Sequence, residues 1–117
     1  MLSQPKRSNY FMLPNELFSM DLSAGAIALY AFLMRMEDRK TFTCYPSFDT
    51  IGKALGIRSK NTVMKYVREL EEKEFVTTER TSVFTRDGMK LNGNLMYHIL
   101  PIKQAVDAFH RRQLYGG

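Results

Sequence analysis

The chain has 117 residues, of which 44% are hydrophobic and 25% charged, enough apolar material for one compact domain and too much for wholesale disorder. Lysine and arginine outnumber the acids by 17 to 12, a net charge of +5. Attraction to a polyanion and a plain need for solubility explain that balance equally well. The single cysteine, Cys44, excludes an internal disulfide and cysteine-rich zinc sites, and we expect a cytoplasmic protein.

The N-terminal part is predicted to contain a flexible arm and a first helix. Residues 1–10 are polar and form the arm, and Tyr10–Leu13 is predicted to be a short extended segment on the core. Residues 1–18 lack the continuous apolar run of a signal peptide. Ser23 is placed to cap a helix whose apolar residues follow helical spacing. The apolar stretch Ala24–Met34 is too short to cross a bilayer, so no membrane association is expected.

Two further helices are separated by a very short turn. Alternation of polar and apolar residues over Thr41–Tyr45 predicts a short strand before them. Ser47 then caps a helix that ends at Gly56. Ser59 caps a third helix over residues 60–73. The buried stripe of that helix is predicted to be Val63, Val67 and Leu70.

The pattern changes after the third helix from helical to alternating. Residues 75–80 and 95–100 are predicted to be strands, and the turn dipeptides Asp87-Gly88 and Asn92-Gly93 lie between them. Two strands joined by a polar loop form a β-hairpin. Residues 103–114 are predicted to form a final amphipathic helix. Its apolar residues are Val106, Phe109 and Leu114.

This order of elements is that of a winged helix-turn-helix, an α+β fold with a three-helix core, a β-hairpin wing and a C-terminal helix. We assign residues 11–101 to the winged-helix domain and residues 102–117 to the C-terminal helix and tail. Two helices joined only through Gly56, Ile57 and Arg58 must cross steeply. In such an arrangement the N-terminal end of the second helix enters the major groove of duplex DNA.

Charge on the third helix is divided between its two ends. Residues 58–68 contain four basic residues and no acid, whereas residues 69–74 contain four acids and one lysine. The helix dipole favours the opposite order, with acids first and bases last. A polyanion at the basic end explains the observed order, and the alternative is an accidental charge order on a solvated helix.

The candidate DNA contacts lie on the exposed face of this helix and at the helix N-termini. Asn61 is suited to pair with adenine, and Lys65 or Arg68 to reach guanine or phosphate. Thr62 is suited to bond phosphate or touch a thymine methyl, or only to bond locally. Ser47 either holds a phosphate or only caps its helix. The full set of predicted contacts is Ser47, Arg58, Ser59, Lys60, Asn61, Thr62, Lys65, Arg68, Arg80, Arg86 and Lys90.

The hairpin and the N-terminal arm add further basic residues. Arg80, Arg86 and Lys90 suit a wing that lies along the DNA backbone or enters the minor groove, and the alternative is an ordinary solvated loop. Lys6 and Arg7 are also able to reach a minor groove.

The segment YPSFDTIGKALGIRSKNTVMKYVRELEEKEFV resembles bacterial winged-helix domains, in which Pro-Ser caps the second helix, Leu-Gly ends it and Ser-x-x-Thr-Val opens the recognition helix. The upstream segment YFMLPNELFSMDLSAGAIALYAFLMRMEDR is similar to the start of plasmid and mobile-element replication initiators. Together the two segments cover most of residues 10–80. The resemblance implies binding to origin or operator DNA, with a partner or a further domain supplying the rest of the function.

Two positions depart from that family pattern. Glu74 stands where the family has glycine, which alters the entry to the hairpin. The linker Ile57-Arg58 is one residue longer than the shortest family form, which shifts the base-reading positions.

We predict no enzymatic activity. His98 lies in a predicted strand and His110 in the last helix, with no carboxylate or cysteine cluster spaced for catalysis or metal binding. No glycine-rich phosphate loop is present, so neither cofactor nor small-molecule substrate is expected. The competing interpretation is a winged helix used for protein contact, in which the last helix pairs two copies as a homodimer. The acid-free basic face of residues 58–68 favours DNA.

Overall fold

A computed structural model describes residues 10–115 of the chain. Its helices are a 3-10 helix (Asn15–Ser19), α1 (Ala24–Met36), α2 (Phe48–Leu55), α3 (Lys60–Glu72) and α4 (Ile102–Tyr115). Its strands are β1 (Thr43–Cys44), β2 (Val76–Glu79), β3 (Ser82–Phe84), β4 (Lys90–Asn92) and β5 (Met96–Ile99). The element order confirms the predicted winged helix-turn-helix. The predicted arm up to residue 9, with Lys6 and Arg7, and residues 116–117 of the tail lie outside the described residues.

The 3-10 helix is an element that the sequence analysis missed. Residues 10–14 have no regular secondary structure, and the chain then makes one helical turn in which the Leu17 N–H donates to the Pro14 carbonyl at 3.3 Å. Leu17 is fully buried and Met20 is 3% exposed. A single turn carries too few residues to show a helical period, so only tertiary packing reveals it.

All three predicted N-caps are confirmed. Ser23 Oγ accepts from the Ala26 N–H at 3.2 Å, and Ser47 Oγ accepts from the Thr50 N–H at 3.0 Å. Ser59 Oγ accepts from the Thr62 N–H at 3.4 Å, the longest of the three. These local bonds fix where the three core helices begin.

The core lies between the helices and a three-stranded antiparallel sheet in which β5 is central, with β1 and β2 on either side. The predicted stripe of α3 is confirmed, because Val63, Val67 and Leu70 are at most 1% exposed. On the sheet side, Tyr97 is fully buried. Because one face of α3 is buried in this way, its opposite face is directed to solvent.

A tight turn joins α2 to α3. Gly56 adopts φ +70°, a left-handed conformation that only glycine reaches without strain. The Ile57 N–H then donates to the Gly52 carbonyl at 2.9 Å. The returning backbone passes so close that a Cβ at Gly52 would lie 2.5 Å from the Ile57 carbonyl oxygen. Both glycines are therefore needed for the short connection.

The hairpin is longer than predicted. Glu79 pairs with Met96, and Ser82 pairs with Asn92. Glu79 and Ser82 are three positions apart in the chain, whereas their partners Asn92 and Met96 are four positions apart. This mismatch is a β-bulge in the returning strand, which bends the hairpin where it leaves the sheet. We call residues 80–95 the wing. It contains its own two-stranded ladder, β3 with β4, where the sequence analysis predicted a polar loop.

One of the two predicted turns in the wing is wrong. Asp87-Gly88 is confirmed at the tip, where Gly88 has φ +81° and its N–H donates to the Thr85 carbonyl at 3.0 Å. Asn92-Gly93 is not a turn, because the Gly93 N–H donates across the hairpin to the Thr81 carbonyl at 2.9 Å. A Cβ at Gly93 would clash with the Thr81 hydroxyl, so the glycine permits close strand packing.

Helix α3 ends one residue earlier than predicted. The residue that follows its C-cap is Glu74, where glycine is usual. Glu74 adopts φ +63° where the family pattern has glycine. The Phe75 N–H donates to the Leu70 carbonyl at 2.9 Å and the Glu74 N–H to the Glu71 carbonyl at 3.1 Å, which is a Schellman motif. A non-glycine residue is strained in this conformation by about 1 kcal/mol.

The Glu74 side chain supplies contacts that a glycine lacks. Its carboxylate accepts from Gln104 Nε2 at 3.1 Å and from Arg111 at 3.0 Å, both on α4. Helix α4 packs on the core through buried Ala105 and Ala108. Of the predicted apolar stripe of α4, Val106 and Phe109 pack against the core, whereas Leu114 is 75% exposed.

Replacing Gly52 by alanine tests the role of the turn. Alanine in a helix interior normally stabilises by about 1 kcal/mol relative to glycine. Here the added Cβ meets the Ile57 carbonyl, so we expect Gly52→Ala to lower the free energy of unfolding by about 2 kcal/mol. Urea denaturation measures it, with Lys53→Ala on the exposed side of the same helix as the control. A stabilised Gly52→Ala variant would contradict the close approach.

Candidate nucleic-acid interface

The solvent-facing side of α3 is basic. Asn61, Lys65 and Arg68 are spaced i, i+4 and i+7, so they form one line along the helix. Arg58 and Lys60 lie at its N-terminal end, and all five side chains are exposed. Thr62 is half-buried, and Ser59 beside it is exposed.

The four cations among these side chains form no ion pair within 4.0 Å in the described part of the chain, and Lys65 acts on an acid, Glu69, at longer range. Among residues 10–115, ion pairs within 4.0 Å involve only the cations Lys53, Lys73, Lys103 and Arg111. We define the basic face of α3 as Arg58, Lys60, Lys65 and Arg68. No ion pair among residues 10–115 neutralises the positive charge of this face.

The N-terminus of α2 carries a different hydroxyl donor from the one predicted. Ser47 Oγ accepts from the Thr50 N–H and donates to Thr50 Oγ1 at 2.9 Å. The proton of the Ser47 hydroxyl is therefore used internally. The exposed Thr50 hydroxyl is left to donate outward, and the sequence analysis did not propose it.

A cleft of about 290 Å³ brings α2, α3 and the wing together. Ser47, Met64 and Arg80 line it, which places Arg80 next to α3. Asn94 Nδ2 donates to the Tyr45 carbonyl at 3.0 Å and ties the base of the wing to the segment before α2. Asn94 was not predicted as a functional residue, because the preceding Asn92-Gly93 dipeptide is typical of a turn.

The other two predicted wing residues lie near the tip. Arg86 is in the turn itself, and Lys90 pairs with Phe84 across the ladder. Both basic side chains are exposed. The wing thus carries three exposed basic residues with Arg80 at its base.

The acidic end of α3 is explained by contacts within the chain. The Glu69 carboxylate accepts from the backbone N–H and the hydroxyl of Ser23, both at 2.7 Å. Glu71 accepts from the Thr78 hydroxyl at 2.8 Å, and Glu74 holds α4. An external polyanion is therefore not needed to explain these acids, which corrects part of the charge argument. The basic residues of α3, unlike Glu69, Glu71 and Glu74, have no such hydrogen-bond partner among residues 10–115.

Glu69 acts as an acidic cap on the positive end of α1. Partial burial raises the pKa of Glu69, but the two hydrogen bonds from Ser23, together with Lys73 and Lys65, outweigh this, and the pKa lies below its ordinary value of 4.5. The ionised form is thus favoured in the folded protein. Because Ser23 and Glu69 are far apart in sequence, this contact fixes α3 against α1.

Comparison with known proteins indicates the fold class of the chain. A family model described as a helix-turn-helix domain matches residues 21–76, which run from before α1 to the start of β2. The fold is similar to that of a possible transcriptional regulator from Methanosarcina mazei Go1, with a TM-score of 0.52 and 18% identity over 83% of this chain and 72% of that one. No curated protein sequence matches. The chain thus has a winged helix-turn-helix fold.

Two further observations concern other kinds of site. No helix in the described range is both long and apolar enough to span a membrane. Within residues 10–115, no three His, Cys, Asp or Glu side chains cluster as potential metal ligands. His98 and His110 lie on β5 and α4, as predicted.

The Glu69 cap makes a pH-dependent contribution to stability. Because folding lowers the pKa of Glu69, its contribution is present above pH 4.5 and is lost as the pH falls below that value. We expect Glu69→Gln to destabilise by about 1 kcal/mol at neutral pH and by less at about pH 3. Urea denaturation at both pH values measures this, with the exposed Glu72→Gln as the control. An equal loss of stability at both pH values would show that the charge of Glu69 does not contribute to the stability of the fold.

Proposed function

We propose that the chain binds duplex DNA sequence-specifically, with α3 in the major groove and the wing on the adjacent backbone or minor groove. The observation that carries the proposal is the basic face of α3, which forms no ion pair within 4.0 Å among residues 10–115 and lies on the second helix of a helix-turn-helix. The similarity of residues 21–76 to a helix-turn-helix family supports it.

Asn61, Lys65 and Arg68 are proposed to face the base edges. Seven residues of α-helix rise about 10 Å, which corresponds to about three base-pair steps of 3.4 Å. Asn61 suits adenine, and Lys65 or Arg68 suits guanine. An adjacent phosphate would be held by Arg58 and Lys60, with the Ser59 hydroxyl and the exposed N–H groups at the start of α3.

At the second helix N-terminus, Thr50 is proposed to bond a phosphate in place of Ser47, since its hydroxyl is exposed. Thr62 would contribute through its half-buried side chain. The wing residues Arg80, Arg86 and Lys90 would then hold the DNA on the far side of α3 from the turn.

The wider role that we propose is recognition of origin or operator DNA, in replication initiation or in transcription regulation. The similarity of residues 10–39 to the start of plasmid and mobile-element replication initiators supports the first, and the structural neighbour named as a possible transcriptional regulator is in line with the second. We infer binding without catalysis, without a cofactor and in the cytoplasm.

A second candidate function is protein contact through α4. Leu114 is 75% exposed and Tyr115 is 85% exposed at the end of that helix. Pairing of two copies there would form a homodimer, which would favour a near-palindromic DNA site. Sedimentation equilibrium of the wild type and Leu114→Ser distinguishes a dimer from a monomer.

The salt dependence of DNA binding tests the proposed role of α3. We expect the wild type to bind random-sequence duplex DNA with an affinity that falls as salt rises. On random-sequence DNA, where binding is non-specific, these two cations are expected to meet phosphates instead of their cognate bases. Lys65→Ala/Arg68→Ala should therefore bind more weakly, and its log–log slope should be shallower by up to about 1.8, since each lost phosphate contact removes about 0.9. Fluorescence anisotropy over a salt series measures both.

The control is Lys40→Ala/Lys103→Ala, which removes the same charge at the other end of the sheet. Lys40 lies in the loop whose Phe42 carbonyl accepts from the Ile99 N–H, and Lys103 is in the first turn of α4. This variant should keep nearly the wild-type slope. Equal losses in both variants would point to net charge alone, and no binding at low salt would favour the protein-contact function.

A further inference from the structure

The wing exposes a group of large apolar side chains. Val83, Phe84, Met89 and Leu91 are 57%, 67%, 63% and 50% exposed. Val83, Phe84 and Leu91 lie on the β3–β4 ladder, which forms a sheet separate from β1, β2 and β5, and Met89 directly precedes β4. A two-stranded ribbon has no core of its own in which to bury such side chains. Their exposure therefore indicates a partner surface.

The strand register divides these side chains between the two faces of the ribbon. Val83 lies directly opposite Leu91, so they share one face. Met89 is on that face as well, since it precedes Leu91 by two positions in the alternation. Phe84 is opposite Lys90 on the other face. Apolar side chains thus flank the tip on both sides.

The tip is held in a tight conformation. The Thr85 N–H donates to the Met89 carbonyl at 2.9 Å, and Thr85 Oγ1 accepts from the Met89 N–H at 3.1 Å. Gly88 takes the left-handed position of a three-residue hairpin loop. Met89 is therefore fixed as a member of the closing pair of the hairpin, and Phe84 directly precedes the other member, Thr85.

The charged residues of the wing indicate what kind of partner the apolar side chains contact. Residues 80–95 contain three basic side chains, Arg80, Arg86 and Lys90, and one acid, Asp87. None of the four makes an ion pair within residues 10–115. Apolar groups beside unpaired cations match the minor groove of DNA, which combines negative potential with base stacks that apolar side chains enter.

We propose that the wing enters the minor groove and that Phe84 and Met89 insert between base pairs, so that the protein kinks its DNA. The proposal rests on the DNA binding proposed above and adds an architectural activity to it. Phe84 and Met89 are assigned this role because they are the two most exposed apolar side chains of the wing and flank the tip. Pyrimidine–purine steps, which unstack most easily, are the expected sites.

Helix α3 and the wing act together in this arrangement. The cleft that joins Met64 to Arg80 shows that the base of the wing lies beside the recognition helix. The bulge bends the ribbon just beyond Arg80. With α3 held in the major groove, opening a step under the wing would bend the duplex towards the major groove.

The experiment measures DNA bending and DNA binding separately. A duplex of about 30 base pairs, selected by the wild-type chain from a random pool, carries a fluorophore at each end for energy transfer. A second copy of the duplex carries 2-aminopurine at successive positions, because its fluorescence rises when a base unstacks. The test variant is Phe84→Ala/Met89→Ala.

The matched control is Phe18→Ala/Met12→Ala. It removes the same two side-chain types at positions that are 73% and 78% exposed and lie before α1, away from the wing. All four positions are exposed, so folding should be kept, and thermal melting of each variant checks this.

We expect the wild type and the control to bend the duplex by about 20–90° and to raise 2-aminopurine fluorescence at the steps that Phe84 and Met89 enter. The test variant should bind within about tenfold of the wild-type Kd and leave the duplex straight. A wild type that binds without bending, or a test variant that bends equally, would overturn the kink and leave the proposed DNA binding intact. A test variant that changes only self-association would assign the apolar side chains to a second copy. No binding by any chain would overturn both proposals.

Discussion

The close approach of the α2–α3 turn to Gly52 is the constraint on which the rest of the structure depends. With Gly56 in a left-handed conformation and the Ile57 N–H bonded to the Gly52 carbonyl, the chain reverses into α3 within three residues. This sets the crossing angle of the two helices. It also determines which side of α3 is buried against the core and which side meets solvent.

The acidic and the basic residues of α3 lie at opposite ends of the helix and differ in the contacts that they make. At its C-terminal end three of the four acids have partners inside the protein: Glu69 caps α1 through Ser23, Glu71 accepts from Thr78, and Glu74 holds α4 through Arg111. At its N-terminal end the bases form no ion pair within 4.0 Å among residues 10–115. One half of the helix thus stabilises the fold, and the other half remains free to bind an anion.

Local signals predicted much of the fold, and long-range contacts account for the rest. The caps at Ser23 and Ser47 and the glycine at 56 are features of a few adjacent residues, so the core helices were found correctly. The pairing of Gly93 with Thr81 and the bond from Ser23 to Glu69 join distant segments. A single sequence contains no signal for such pairs, so the ladder of the wing and the function of the acids were missed.

The central claim is that the N-terminal half of α3 meets DNA, and an NMR titration of the labelled chain with duplex DNA tests it most directly. Amide resonances of residues 58–68 should shift first and furthest, with those of the wing, residues 80–95, whereas those of α4, residues 102–115, should change little. Shifts confined to α4, or no shifts at low salt, would contradict the account.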